Sequence, residues 1–592
     1  MPRFQGTPFQ SAYLVCARLV VIALLAGPGC STDRIRKSAD KEVGQILTQK
    51  APRVPNMDRS FSIDTNLPVD LSELPRAGAA PDFLGPEGTS EQGSPTVSLL
   101  KALEIAVRQS REYQLQKEQL YLEALDLSLS RHRFTPIFFG GGSGAFRGST
   151  SREVIGIDPV TQEPITVARN DATLVEGHAR FGVSWLLATG ARLSASFTTD
   201  FLRYVSGDPR ALTSSQVAGT LSQPLLRGAG FQVTMENLTQ AERNLLYGMR
   251  DFVQFKKDFT VRLAGDYYAV LQARDQVRNG FLDLQRSREN ARREKAFADE
   301  GQRTLASLDQ LTQAELNAEA RWLTALRDYR ESLDRFKITL GLPVSRSLVL
   351  AEQDLEGLTI QDPGISVDDA VKIAESVRLD LQNTRQRLED AMRRVPIAKN
   401  ALLPQIDASA RGNFSENARR GFPLPDPNIY SYSLGLDVDL GLDRKAERNG
   451  FRRALIEEAR AKRTYALAVD QIKLAVATDT RSLDQARRIF EIAEVGVKLG
   501  ARRVEEQQLR QQLGRGATRD LLDAQSDLVN AQNARTGALV THTIARLRYW
   551  RDMGILNIGE SGMWDEVFRP TSASPPPPTP AATNPNLPST PP

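Results

Sequence analysis

Residues 430–440 read YSYSLGLDVDL. Tyr430, Tyr432, Leu434, Leu436, Val438 and Leu440 alternate with Ser431, Ser433, Gly435, Asp437 and Asp439. Successive side chains of a strand point to opposite faces, so this strand is apolar on one face and polar on the other. Just upstream, QIDASARGNFS (405–415) sets Ile406, Ala408, Ala410, Gly412 and Phe414 against Gln405, Asp407, Ser409, Arg411 and Asn413, and the Pro- and Gly-rich RRGFPLPDPN joins the two. Each strand is about 10 residues long, enough to cross a bilayer when tilted, with lipid on one side and water on the other. An amphipathic strand usually covers a soluble core, but no second apolar layer adjoins these two. Two to six strands cannot close a membrane barrel, since the smallest have about eight. An open sheet edge is not tolerated in lipid. The chain is therefore expected to oligomerise, with Asp407, Asp437 and Asp439 facing a water-filled lumen.

A less regular version of this pattern lies nearer the N-terminus. IFFGGGSGAFRG (137–148) comes first, and then Ala179, Phe181, Val183 and Trp185 alternate with Arg180, Gly182 and Ser184. Past a turn at Thr189-Gly190, Leu193, Ala195 and Phe197 alternate with Ser194, Ser196 and Thr198, and VAGTLSQPLL (217–226) ends the region.

The strands sit inside a duplication. A helical stretch at 96–132 leads to the first strand region, followed by helices at about 231–300 and 304–340, broken at Gly301 and ending at GLP. The series recurs as a helix at 367–401, the strands at 405–440, and helices at about 443–511 and 517–551, broken at GRG (514–516) and ending near MGIL. The order helix, strands, long helix, shorter helix thus occurs twice. At 1.5 Å per residue a stretch of about 70 residues makes a helix ~105 Å long. Ala524, Ala531, Ala538 and Ala545 recur every seven residues, as do Ala318, Ala325 and Ser332 beside Trp322, Tyr329 and Phe336. That spacing of small residues predicts close, supercoiled helix contacts. The expected organisation is a leader (1–29), an extended arm without an apolar stripe (30–95), repeat one (96–345), a linker (346–366), repeat two (367–556) and a Pro-rich disordered tail (557–592).

Composition removes most enzyme chemistry. In 592 residues there are two cysteines, Cys16 and Cys30, and three histidines, His132, His178 and His542. Neither a zinc set, a thiol nucleophile nor a His-dependent triad is at hand, and no catalytic residue, metal site or cofactor is expected. The formal net charge of +4 comes without a block of one sign, so nucleic acid is not an expected partner. At the N-terminus, Arg3 and Arg18 precede the apolar run LVVIALLA (19–26), and Gly27-Pro28-Gly29 leads to Cys30. This reads as a signal peptide resembling that of bacterial lipoproteins, with Cys30 as the lipidated residue and Gly27 where such signals usually carry Leu; the alternative is ordinary signal cleavage near Cys30.

Taken together, the signal, the duplicated order and the very long helices resemble the TolC-type outer-membrane efflux proteins. SQPLLRGAG (222–230), LLPQIDASA (402–410), ITLGLP (338–343) and GRGATRDLLDAQSDLVNAQ (514–532) carry the likeness. The resemblance implies a mainly α protein with membrane β-strands. By the same resemblance it would form a homotrimer with one shared β-barrel in the outer membrane and a long periplasmic α-helical barrel. A periplasmic adaptor and an inner-membrane transporter would dock at the far tips, marked here by Gly301, Arg303, Gly514 and Gly516. The family normally has two strands per repeat, so the additional hairpin around 179–204 is either further wall or an extracellular extension.

The family closes its periplasmic end with an aspartate pair, and Asp520 and Asp523 match it. Three apart on a helix, they share a face, and a threefold axis would gather six carboxylates into a cation-favouring ring. The alternative is a solvated helix face neutralised by Arg515 and Arg519. Repeat one has Gln310 and Gln313 at the equivalent spacing, so a gate would come from repeat two alone. The resulting expectation is a passive exit duct of a tripartite efflux or type I secretion system. Its rival is a lipid-anchored coiled-coil scaffold without a pore.

Overall fold

The computed structural model describes residues 31–59, 61–63, 70–159, 162–206, 211–302, 304–418, 424–513 and 515–565. The leader, Cys16, Cys30 and the Pro-rich end from 566 lie outside the described residues. The chain is mainly helical with one large sheet and divides into two compact units. One unit comprises Glu118–Met249 and Thr384–Tyr465 with the described residues up to Ser62; the other holds Ile63–Lys117, Arg250–Asn383 and the chain from Ala466 onward. In chain order the main elements are α1 (Thr32–Lys50), β1 (Thr96–Val97), α2 (Leu99–Gln109), α3 (Arg111–His132), β2 (Ile137–Ile157), β3 (Pro164–Leu186), β4 (Arg192–Ser206) and β5 (Ala211–Pro224). They continue with α4 (Glu236–Asp299), α5 (Leu305–Leu340), β6 (Val349–Leu350), α6 (Val367–Val377), α7 (Leu379–Asn400), β7 (Gln405–Ala418), β8 (Tyr430–Asp439), α8 (Lys445–Gln512) and α9 (Thr518–Asp552). Among the described residues no helix is long and apolar enough to cross a membrane.

The first unit is built on a six-stranded antiparallel sheet in the order β2-β3-β4-β5-β7-β8. Its helix-proximal end is tied by polar contacts between the two repeats. Asn400 Oδ1 accepts from the Gly228 amide at 2.8 Å, its Nδ2 donates to the Leu226 carbonyl at 3.2 Å, and Arg227 pairs with Glu447 at 3.2 Å. The Asn400 side chain thereby occupies the Gly228 amide of the turn SQPLLRGAG and gives a second donor to the Leu226 carbonyl, which also accepts from the Ala229 amide.

Residues 31–95 differ from the extended arm expected of them. Thr32–Lys50 is a helix whose Val43, Ile46 and Leu47 are buried, with Tyr121 donating to Asp40 at 2.7 Å and Lys50 paired with Glu242. The spacing i, i+3, i+4 of those three residues is a helix stripe, but one too short to stand out among charged neighbours. In the other unit Leu84 is fully buried and the Phe83 carbonyl accepts from Trp322 Nε1 at 2.8 Å, so this Pro- and Gly-rich segment packs on α5.

That second unit shows the duplication in detail. Ser98 caps α2 by accepting from the Lys101 amide, and Ser366 caps α6 by accepting from the Asp369 amide. The helices read as continuous from sequence at 96–132 and 367–401 each break once, at Ser110 (ψ 126°) and Arg378 (ψ 124°), both extended. Packed on these breaks are two glycines with positive φ. Gly341 (φ 82°) closes α5, and Gly554 (φ 81°) follows α9. An added Cβ at Gly341 would meet Gln109 O, and one at Gly554 would meet Arg378. Along α5, Ala318, Trp322, Leu326, Tyr329, Leu333, Phe336 and Leu340 are buried at three- and four-residue steps. In α9, Ala524 and Ala538 are buried, and Gly500 of α8 lets the Leu528 backbone come close enough that a Cβ would meet its Cα at 3.3 Å. The short-residue heptads thus serve close helix packing.

Candidate functional site

Two regions contain the residues singled out from sequence, one in each unit. The first is the sheet. Directly opposed residues of neighbouring strands share a face, so the register defines the two surfaces. One row runs Gly140, Phe181, Phe197, Val217, Phe414, Tyr430, and the next runs Phe138, Val183, Ala195, Gly219, Gly412, Tyr432. A third runs Trp185, Leu193, Leu221, Ala410, Leu434. This face is apolar across all six strands, and it is bare: Phe138, Tyr432 and Leu434 are 81%, 77% and 80% exposed. An uncovered apolar surface of this extent marks contact with something other than water.

The opposite face is polar. Asp407 stands opposite Asp437, and Gln405 stands opposite Asp439. Gln405 Nε2 donates to Asp407 Oδ2 at 2.7 Å, while Asp439 accepts from the Gly441 amide at 2.9 Å. The structure therefore brings the three carboxylates expected from sequence onto one face at the helix-proximal end of the sheet. It also adds charges that sequence reading did not single out. Arg147 pairs with Glu176 at 3.1 Å, His178 Nδ1 lies 2.6 Å from Asp200 Oδ1, and the Arg180 guanidinium sits 5.0 Å from the Phe139 ring centre. The signal was present: the alternation through Phe181 and Val183 continues backward through Ala179, Gly177 and Val175, placing Glu176, His178 and Arg180 on the other face.

The second region is the pair of turns joining the long helices. Between α4 and α5, Gly301 has φ 72°, the Gln302 amide donates to Phe297 O at 2.9 Å, and Thr304 caps α5 at the Ser307 amide. Between α8 and α9, Gly516 is held so tightly that a Cβ would meet the Gln511 amide nitrogen at 2.9 Å. Arg303 and Gly514 lie outside the described residues. Asp520 occupies the first turn of α9, where a carboxylate opposes the helix dipole, and Asp523 follows on the same exposed face. Leu521 and Ala524, between and beyond them, are fully buried, which turns both carboxylates outward. Arg515 and Arg519 are exposed as well, and among the described residues neither carboxylate forms an ion pair with them. The next acid on this face, Asp527, does pair, with Arg503 at 2.6 Å. In repeat one, exposed Gln310 and Gln313 flank buried Leu311 in the same way. Apolar side chains are bare near both turns: Leu305 is 71% and Leu513 64% exposed.

Among the described residues no group of His, Cys, Asp and Glu has the arrangement to hold a metal ion.

Residues 370–548 match the family model described as outer membrane efflux protein. No curated protein sequence matches the chain significantly. Among solved structures, the outer-membrane channel OprN is 14% identical with a TM-score of 0.54, over 85% of this chain and 97% of that one. The Campylobacter jejuni CmeC outer membrane channel is 14% identical with a TM-score of 0.55, over 83% and 94% of the two chains. The Neisseria gonorrhoeae MtrE outer membrane channel, in its open state, is 14% identical with a TM-score of 0.55, over 77% and 89%. At such identity the structures speak for the fold, and the family match speaks for the second repeat, where the opening strands and the turn at Gly516 both lie. The chain has the fold of the solved outer-membrane channels, and within it residues 370–548 are similar to the outer membrane efflux protein family.

Proposed function

We propose that this protein is the outer-membrane exit duct of a tripartite efflux or type I secretion system. Three copies close one barrel with the apolar face of the sheet against lipid and the polar face, with Asp407, Asp437 and Asp439, lining water. The long helices continue the passage through the periplasm, where an adaptor and an inner-membrane transporter engage the turns around Gly301 and Gly516. The duct performs no covalent step; the transporter supplies the energy. Cys30 carries the lipid that anchors the N-terminal segment to the same membrane. The observation that bears most weight is the apolar face shared by all six strands, since a sheet that is bare on that side is stable only in an apolar medium. CusC, another structure of this fold (11% identical, TM-score 0.56), is described as undergoing transmembrane channel formation, which supports the same reading.

Asp520 and Asp523 form the narrowest, cation-selective ring of the duct. Both carboxylates are exposed and, among the described residues, without an ion pair, so three copies can present six of them to a central axis. The test is single-channel conductance of the full-length protein in planar bilayers, compared with Asp520→Ala/Asp523→Ala. A small cation-selective conductance that rises severalfold in the double variant is the expected result. A conducting wild type indifferent to the substitutions removes the gate and keeps the duct. Absence of conductance from protein that extracts as a soluble rod once its lipid is cleaved removes the duct and leaves the scaffold.

A further inference from the structure

The β3–β4 hairpin raises a question about the wall itself. A hairpin outside the membrane would leave the ladder before reaching the helix-proximal end of the sheet. This one does not. β3 pairs with β2 down to Ser184 opposite Ile137, the first residue of β2, and β4 pairs with β5 down to Arg192 opposite Ser222. Its turn is seated on that end: Gln223 accepts from Thr189 Oγ1 at 3.2 Å, the Gly230 amide donates to the Thr189 carbonyl at 3.2 Å, and Gly190 (φ 93°) lies so close that a Cβ would meet Thr234 Oγ1 at 2.9 Å. The hairpin also obeys the two-sided pattern. Phe181, Val183, Leu193 and Phe197 continue the apolar rows, and Arg180 and Ser196 continue the polar ones.

The ends of the sheet are open. Among the described residues β2 and β8 each have one neighbour, and both carry bare apolar side chains, Phe138 and Phe146 on one and Leu434 and Leu436 on the other. Six consecutive antiparallel strands leave the first and last running in opposite directions, so β8 of one copy can pair antiparallel with β2 of the next and keep the alternation unbroken. Unpaired edge amides in hydrocarbon make that pairing obligatory.

We propose that β3–β4 is an integral part of the barrel wall, that β8 docks on β2 of a second copy of this chain, and that three copies close eighteen strands. The inference rests on the trimeric duct proposed above. Only four strand ends per copy join helices, those of β2, β5, β7 and β8, and the hairpin adds two strands without adding a helix. Barrel diameter grows roughly in proportion to strand number, so the lumen is about 1.5-fold wider than four strands per copy would give. Charges on the inner face of the hairpin, Glu176, His178, Arg180 and Asp200, line the added width.

Electron cryomicroscopy of the full-length protein in lipid nanodiscs counts the strands directly. Eighteen strands, with β8 beside β2 of the neighbouring copy, is the expected result. Twelve strands with β3–β4 outside the membrane overturns this inference and leaves the duct standing. A particle with no ring of strands in the disc overturns both. Cysteines introduced singly at Phe181, Val183 and Leu193 give a second readout. They react with a lipid-soluble maleimide at least tenfold faster than with a membrane-impermeant one if the hairpin is wall, and the preference is reversed if it is not.

Discussion

Repeats one and two use the same frame and diverge on it in three places. Shared are the serine caps at Ser98 and Ser366, the single extended residues Ser110 and Arg378, and the left-handed glycines Gly341 and Gly554. They differ in strand number, four against two, in the turn acids, Gln310 and Gln313 against Asp520 and Asp523, and in one buried position. Twelve residues before Gly341 lies Tyr329, and twelve before Gly554 lies His542. Tyr329 is satisfied: its hydroxyl donates to Glu91 Oε1 at 2.8 Å and accepts from Arg274 Nη1 at 2.7 Å. Both ring nitrogens of His542 are buried and, among the described residues, have no hydrogen-bond partner. The lesson is that duplication has preserved the positions where backbone geometry leaves no choice. Change is concentrated in the sheet, at the exposed helix turns and at one adaptable core position.

The network around Tyr329 offers the strongest way to break the comparison. Arg274 also binds Glu91 and Glu352, each at 2.6 Å, and the side chains of Arg274 and Glu91 are both only 5% exposed. Replacing Arg274 by Met leaves a buried carboxylate without its cation, which costs roughly 3–5 kcal/mol. Denaturant unfolding of the detergent-solubilised protein measures this. Arg274→Met/Glu91→Gln, which removes both charges, is expected to recover part of the loss. A loss under about 1 kcal/mol in the single variant, on the scale of an exposed pair, would mean that apolar packing alone holds residues 70–95 against α5.

A smaller effect sharpens the likeness between the repeats. At φ near +80° any L-residue pays about 1–2 kcal/mol, so Gly341→Ala and Gly554→Ala share that cost. They differ in what the new methyl meets. At Gly341 it would collide with the Gln109 carbonyl oxygen, a backbone atom, whereas at Gly554 the nearest atom is Arg378 Cγ at 3.3 Å, on a side chain. Overpacking adds roughly 1–3 kcal/mol at the first site and little at the second. The expected order in thermal melting is Gly341→Ala well below Gly554→Ala, with the wild type above both. Equal losses would show that the α2–α3 break yields as easily as the side chain.

How much of this was legible in sequence depends on how many residues carried each signal. The two strands of repeat two were readable because ten residues alternate without interruption in YSYSLGLDVD. In repeat one the run GGGSG offers a single side chain, Ser143, so the pattern marked β2 only to residue 148 and β3 only in its last third. Register lay beyond the sequence, and with it the finding that the hairpin reaches the base of the sheet. Helix α1 was hidden because its stripe is three residues long, and the 70–95 segment because it is held by single anchors, Leu84 and Glu91, separated by Gly and Pro. The turn glycines were visible as breaks between heptads. Asp520 and Asp523 were legible only through family resemblance, since their spacing is common to any solvated helix face. The Arg274 network could not be read at all: it joins residues from four separate stretches of chain.

The subtlest difference between the repeats concerns pH. Burial pushes the His542 imidazole down to about 4, with the positive charges of Arg546 and Arg487 acting in the same direction and Asp362 against them. The unfolded chain carries a histidine of ordinary affinity, near 6.5, so between those values the unfolded state binds the proton that the folded state refuses. Stability contributed by the neutral ring is therefore complete above about 6.5 and is lost as pH falls toward 4. Tyr329, held above the ordinary tyrosine range by burial, does not titrate in this window. The melting temperature of the wild type is expected to fall by several degrees between pH 7 and 5. In His542→Leu that component of the fall should vanish, while Tyr329→Phe should keep it. If His542→Leu loses as much as the wild type over the same range, the acid sensitivity belongs to carboxylates paired elsewhere, and the two buried positions differ in hydrogen bonding without differing in their response to protons.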